Sequence, residues 1–357
     1  MNSLQLHRDL LQAFRQLGLK STQPQQVNLA LLCQALATCP NCHLATLALG
    51  LPLPGHRENL VQRLRRFLKT KSDVVASYEP WLRHVLARWP YHELALIMDR
   101  TDIEDRWSIL TLGAAYHHRL LPLAWDVFSF GSTSAAEQLT LLRRVHAALP
   151  TDPRRRITFF GDCEFRAVPV QQTCQTWGWH WHVGLKSDLF IRLPDETWQA
   201  LRELSLGRGQ RRYLNQVYLT HEHTFGPVNL VADWAVAQDT PRYWALDLPA
   251  DRWAWRRGRK RYGIEPTHRD WKSYGFDLER SQLEEAARLN VLMLGINITT
   301  VWMIHLGTRL LQRGRANPLM LPHKRDYGVF RLGRDYVLHQ ILHHQRLPVG
   351  FTPLPTV

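Results

Sequence analysis

Residues Leu94-Ala95-Leu96-Ile97-Met98-Asp99 govern how the rest of the chain is read: five apolar residues in a row close on one acid. A run this short between polar residues has the length of a buried strand rather than of a helix. Two further strands are predicted over Ser108–Tyr116 and Leu120–Phe128, parted only by His117-His118-Arg119, which makes an antiparallel meander. A helix over Ala135–Leu149 follows, then a strand over Arg156–Gly161 that again stops at an acid, Asp162, and a helix from about Arg166 to Thr176. This order predicts an α/β fold in which two strands end in acids at one edge of the sheet.

On either side the pattern changes. Residues 1–90 repeat apolar positions at helical spacing (Leu4, Leu11, Phe14 and Leu17, then Val27, Leu31 and Leu36) and include a basic stretch, Leu60–Lys71, whose Arg65 and Arg66 are set to face DNA. Residues 177–251 alternate Trp177, Trp179 and Trp181 with Gly178, His180 and His182, which predicts a β-rich insertion. Helix returns over 252–316, and a Pro- and His-rich tail over 317–357 reads as partly irregular.

The 357 residues carry 45 Lys and Arg against 31 Asp and Glu, a formal charge of +14. A polyanion is the expected partner, and the clustering of the cations favours nucleic acid over a membrane. No uninterrupted apolar stretch of about 18 residues and no signal-peptide pattern is present, so a soluble cytoplasmic protein is expected. The five cysteines do not suggest a disulfide framework. Cys39-Pro40-Asn41-Cys42-His43 has the spacing of a haem attachment site, and with Cys33 hints at zinc. Haem attachment would need export, however, and zinc a second ligand pair.

A third acid stands in the basic segment Arg261-Tyr262-Gly263-Ile264-Glu265-Pro266-Thr267-His268-Arg269-Asp270-Trp271-Lys272. In an unbroken helix Arg261, His268, Arg269 and Lys272 share the face of Glu265, a pattern that suits a metal and a phosphodiester and equally a solvated charged helix. Pro266 argues for a kink or a helix start there. Acids drawn from two strands and a helix supply the oxygen ligands that hard divalent ions take.

Over most of its length the sequence resembles the DDE transposases of the insertion-sequence-four type. The resemblance rests on Leu96-Ile97-Met98-Asp99-Arg100-Thr101-Asp102, on Phe160-Gly161-Asp162-Cys163-Glu164-Phe165 and on Ile264-Glu265 with Arg269 and Lys272. The family signature Tyr-x2-Arg-x3-Glu-x6-Lys is matched by Arg261, Glu265 and Lys272, while Gly258 stands at the tyrosine position. The resemblance implies an RNase H-like mixed sheet flanked by helices. Residues 91–176 and 252–316 would form the catalytic core, interrupted by the β-rich insertion.

The resemblance further implies Asp99, Asp162 and Glu265 as catalytic acids and ligands of Mg²⁺, with Mn²⁺ as a substitute. Arg261, His268, Arg269 and Lys272 would then bind DNA, and Trp234 and Trp244 would stack on an unpaired base. Asp102 and Glu164 are local rivals for the acid roles. The implied partner is double-stranded DNA at terminal inverted repeats, held by a homodimer in a synaptic complex. Two other readings are a DNA-binding derivative without catalysis and a host RNase H-like nuclease.

Overall fold

The computed structural model describes residues 3–70, 74–314, 316, 319–320 and 328–355. Lys71 and Asn317, named in the sequence reading, lie outside them. The first helices are α1 (Ser3–Leu17), α2 (Gln23–Thr38), α3 (Leu44–Leu49), α4 (Arg57–Leu68) and α5 (Val74–Ala87). Local chemistry sets their limits. Thr22 and Gln25 cap α2 reciprocally, and α1 buries Leu6, Leu10 and Phe14 on one stripe while its other face stays wet.

The meander follows as β1 (Glu93–Ile103), β2 (Trp107–Tyr116) and β3 (Arg119–Ser129), then α6 (Ala135–Ala148), β4 (Arg156–Gly161), α7 (Val168–Thr176) and β5 (His180–Leu185). Strands β6 (Phe190–Arg192), β7 (Trp198–Ala200), β8 (Arg211–Leu219), β9 (Phe225–Asp233) and β10 (Arg242–Leu246) come next. The chain ends in α8 (Arg252–Gly258), α9 (Glu265–Arg269), α10 (Ala286–Gln312) and α11 (Val329–Leu342).

All ten strands join one mixed sheet in the order β3-β2-β1-β4-β5-β10-β9-β8-β6-β7. β1 pairs antiparallel with β2 and parallel with β4, and β4 pairs parallel with β5. Helices flank the sheet, as the fold reading expected. The core is organised on α10, which is buried along nearly its whole length. It is apolar and long enough to cross a membrane by composition, yet 94% of its most apolar window is buried inside the protein.

Two expectations need correction. β1 does not stop at Asp99: Arg100 to Ile103 go on pairing with Leu110 to Trp107, because hydrogen bonding outlasts the apolar run. β5, grouped by its tryptophans with the insertion, is a parallel neighbour of β4, and β10 hydrogen-bonds directly to it. The described part of the tail combines one helix with irregular backbone that is nonetheless packed. α11 packs on α10, and residues 346–355 form a strap in which Trp302 Nε1 donates to Pro348 O (3.1 Å) and Phe351 stacks on Phe14 (6.0 Å).

Candidate active site

Strand pairing brings the first two acids together. Ile97 of β1 lies opposite Phe160 of β4, so Asp99 and Asp162 each stand two residues beyond one matched pair, on strands about 4.8 Å apart. With a side-chain period of two, both acids take the face of Ile97 and Phe160. That face is sealed by Leu120 and Ile264, and Ile264 is the residue before Glu265. One small apolar cluster thus registers all three acid-bearing segments.

Asp162 is the first residue after β4, and its Oδ1 accepts the Glu164 N–H (2.7 Å), capping a short helical turn over Cys163–Phe165. Gly184 of β5 makes room for it. A Cβ at that position would come within 2.8 Å of the Cys163 nitrogen and 3.0 Å of the Asp162 carbonyl carbon. Asp99 Oδ1 accepts the Arg100 N–H (2.9 Å), and its Oδ2 lies 4.0 Å from Arg261 Nη1. Burial pushes Asp99 up to about 7, against the pull of Arg261 and with the added push of the Asp162 and Glu265 charges.

The segment around Glu265 is not one α-helix. After α8 it tightens into a 3-10 turn over Arg259–Gly263, restarts as α9 at Glu265, then widens into a π turn over Asp270–Tyr274. Pro266, in the first turn of α9, has no N–H to lose there. Buried Trp271, whose Nε1 donates to Thr300 (3.0 Å), draws the following turn inward. The even offsets expected from an unbroken helix therefore fail on both sides of the glutamate.

Glu265 and Arg269 are exposed and Lys272 is half-buried. His268 tilts against Trp271 (5.7 Å), its Nε2 is enclosed without a partner, and burial with the nearby Lys272 holds its pKa down at about 3. These positions group Arg261 with Asp99 and enclose the Nε2 of His268 against Trp271.

The rival acids are engaged elsewhere. Glu164 accepts from Thr133 N (2.9 Å) and Thr133 Oγ1 (2.7 Å) and pairs with Arg100 (3.1 Å), while Asp102 accepts from Ser108 Oγ (2.6 Å). Both tie the end of β1 to its neighbours.

The donor set suits a hard divalent cation, since it is made of carboxylate oxygens and holds a buried acid pressed by two others. Among the described residues no three His, Cys, Asp or Glu side chains converge on one point as a finished cage. The thiols take no part. Cys33, Cys39 and Cys42 are buried, and their sulfurs donate to the carbonyls of Gly295, Thr46 and Asp277.

Arg65 and Arg66 are exposed on the last turn of α4. Trp234 and Trp244 are half-buried. Trp234 Nε1 is bonded to Gln238 O (2.9 Å), and Trp244 stands edge-on to His182 (6.2 Å). The sequence reading passed over Trp253 of α8, which is 60% exposed between the guanidinium groups of Arg252 (5.8 Å) and Arg256 (5.0 Å). Its signal was present in the alternation of Arg and Trp over Arg252-Trp253-Ala254-Trp255-Arg256.

The transposase DDE domain family matches residues 91–302, more than half of the chain and all three acid-bearing segments. Among solved structures, a cryo-EM synaptic complex of the piggyBac transposase with hairpin DNA is similar over 97% of this chain and 84% of that one, at 10% identity and a TM-score of 0.45. No curated protein matches. With the family match spanning both strands and the helix that carry the acids, the chain belongs to the DDE transposases, metal-dependent enzymes of transposition and DNA recombination.

Proposed function

We propose that the chain is the transposase of a bacterial insertion sequence of the insertion-sequence-four type, cutting and joining DNA at the element's terminal inverted repeats. The observation that carries this reading is the level placement of Asp99 and Asp162 beyond the Ile97–Phe160 pair, with Ile264 seated on that pair and presenting Glu265. Asp99, Asp162 and Glu265 would hold Mg²⁺, or Mn²⁺ in its place. The bound metal would supply Lewis-acid activation of the attacking oxygen and stabilise the leaving one.

Each side chain has a distinct part. Asp99 lies in β1 and Asp162 directly after β4, whereas Glu265 stands exposed at the start of α9. Arg261 neutralises the acids and orients the scissile phosphate. Arg269 and Lys272 take the phosphates next to it. Arg65 and Arg66 on α4 grip duplex DNA away from the cut. Two copies of the chain would pair two element ends in the cytoplasm.

The test is plasmid excision with Mg²⁺ and an end-containing substrate. Asp99→Ala, Asp162→Ala and Glu265→Ala are each expected to lower cleavage by a factor of about 10³ or more, the scale of losing a group that acts only on the transition state. Normal cleavage by all three variants would overturn the reading. Salt-sensitive DNA binding without cleavage in the parent protein would mark a non-catalytic derivative.

A further inference from the structure

A cleft of about 830 Å³ opens between the start of β1 and α8, and reaches Pro266, the residue after Glu265. Its floor is Ala95 of β1 and Ala115 of β2, small residues that leave the sheet low where larger apolar side chains fill neighbouring positions. Ala95 shares the face of Asp99 four residues on, so the floor lies about 13 Å along the strand from that carboxylate. One bank is Arg256, Arg259 and Lys260, and Pro266 closes it next to Glu265. The far wall carries Tyr91, His92 and the β2–β3 hairpin.

Four cations line the cleft (Arg119, Arg256, Arg259 and Lys260) against one acid, Glu93. Lys260 is matched to Glu93 (3.0 Å) and Arg119 to Asp270 (2.9 Å). Arg256 and Arg259 lie instead over the rings of Trp253 (5.0 Å) and Trp255 (5.5 Å). The bank therefore keeps an excess of positive charge.

The hairpin points the same way. Its two turn residues, His117 and His118, both have left-handed backbones (φ 48° and 57°), where Asn-Gly is the comfortable pair. The turn costs more than it need, and it sets the exposed ring of His118 over the cleft.

We propose that this cleft is a second DNA subsite, one that takes unpaired strand adjacent to the cut, with phosphates on Arg256 and Arg259 and a base between Tyr91 and His118. The proposal rests on the reading of Asp99, Asp162 and Glu265 as the cutting centre. Unpaired strand fits better than duplex because the cleft joins a cationic bank to aromatic rings, and stacking needs an open base face. Its volume lies within the range of pockets that enclose small ligands, about 300–1,000 Å³.

The test compares the full chain's affinity, by fluorescence anisotropy at fixed salt, for one duplex with blunt ends and the same duplex with a short single-stranded tail. The tail should tighten binding about tenfold, the effect of one stacked base. Arg259→Ala and His118→Gly should each erase most of that gain and leave blunt-duplex affinity within about twofold. Glycine suits the left-handed turn, so His118→Gly is expected to fold at least as well as the parent.

A 2-aminopurine in the tail should change its emission on the parent protein and not on His118→Gly. Equal affinity for both duplexes overturns the proposal, as does a tail preference that survives both substitutions. Asp99→Asn should keep the tail preference and lose cleavage. Cleavage by that variant would overturn the catalytic reading without altering the tail measurement.

Discussion

Gly258 occupies the place of the signature tyrosine, and His182 of β5 fills the space beside it. A Cβ on Gly258 would lie 2.6 Å from His182 Cε1 and 2.8 Å from its Nε2. The ring has little room to yield, since it is buried near Phe160 (5.6 Å) and Trp244 (6.2 Å). Gly258→Tyr is therefore expected to cost about 1–3 kcal/mol by overpacking. Adding His182→Ala should recover part of that loss, so that the urea-unfolding energies of the two single changes do not add. The acids divide in a comparable way. Glu164→Ala should lower the melting temperature while keeping part of the cleavage activity, because Glu164 holds Arg100 and Thr133. Asp162→Asn should do the reverse, and thermal melts run beside the excision assay separate the two.

At the level of elements, the strap over residues 346–355 shows irregular backbone packed as core. Phe351 is only 3% exposed, and His305 Nδ1 meets Thr352 O at 2.8 Å. Phe351→Ala is expected to destabilise the chain by about 3–5 kcal/mol, measurable by chemical denaturation, because it empties a site packed from α1. Local apolar runs made β2, β3, β4 and α6 legible within a residue or two, since burial and hydrogen bonding end together there. They diverge in β1. Arg100, Thr101 and Asp102 are polar yet held by the ladder to β2, and a pattern of apolar residues does not record that pairing. The pitch changes around Glu265 were half legible. Pro266 announced the restart, but the π turn depends on Trp271 reaching Thr300 of α10, a contact across 29 residues.

Across the whole molecule, buried imidazoles work against the fold in acid. Burial holds His182 down at about 3 and His84 at about 4, so the folded chain leaves both neutral while the unfolded chain protonates them below about 6.5. At these two sites the unfolded state then binds more protons, and their contribution to stability falls as pH drops from 6.5 toward 3. His182 alone should account for about 2 kcal/mol of loss between pH 7 and pH 5, and His182→Gln should flatten the urea midpoint across that window by a similar amount. The three proposed acids are nominated from short motifs, whereas the level pairing of Asp99 with Asp162 depends on a strand register that only the folded sheet displays. The hydrogen bonds between β10 and β9 carry a consequence for the sheet's open side. Cutting out residues 186–241 would leave β10 on β5 but strip β10 of its outer neighbour and bare a row of amides ready to pair with another chain. The outer strands therefore do more than lengthen the sheet: they shield an edge that the inner strands alone would leave open to pairing.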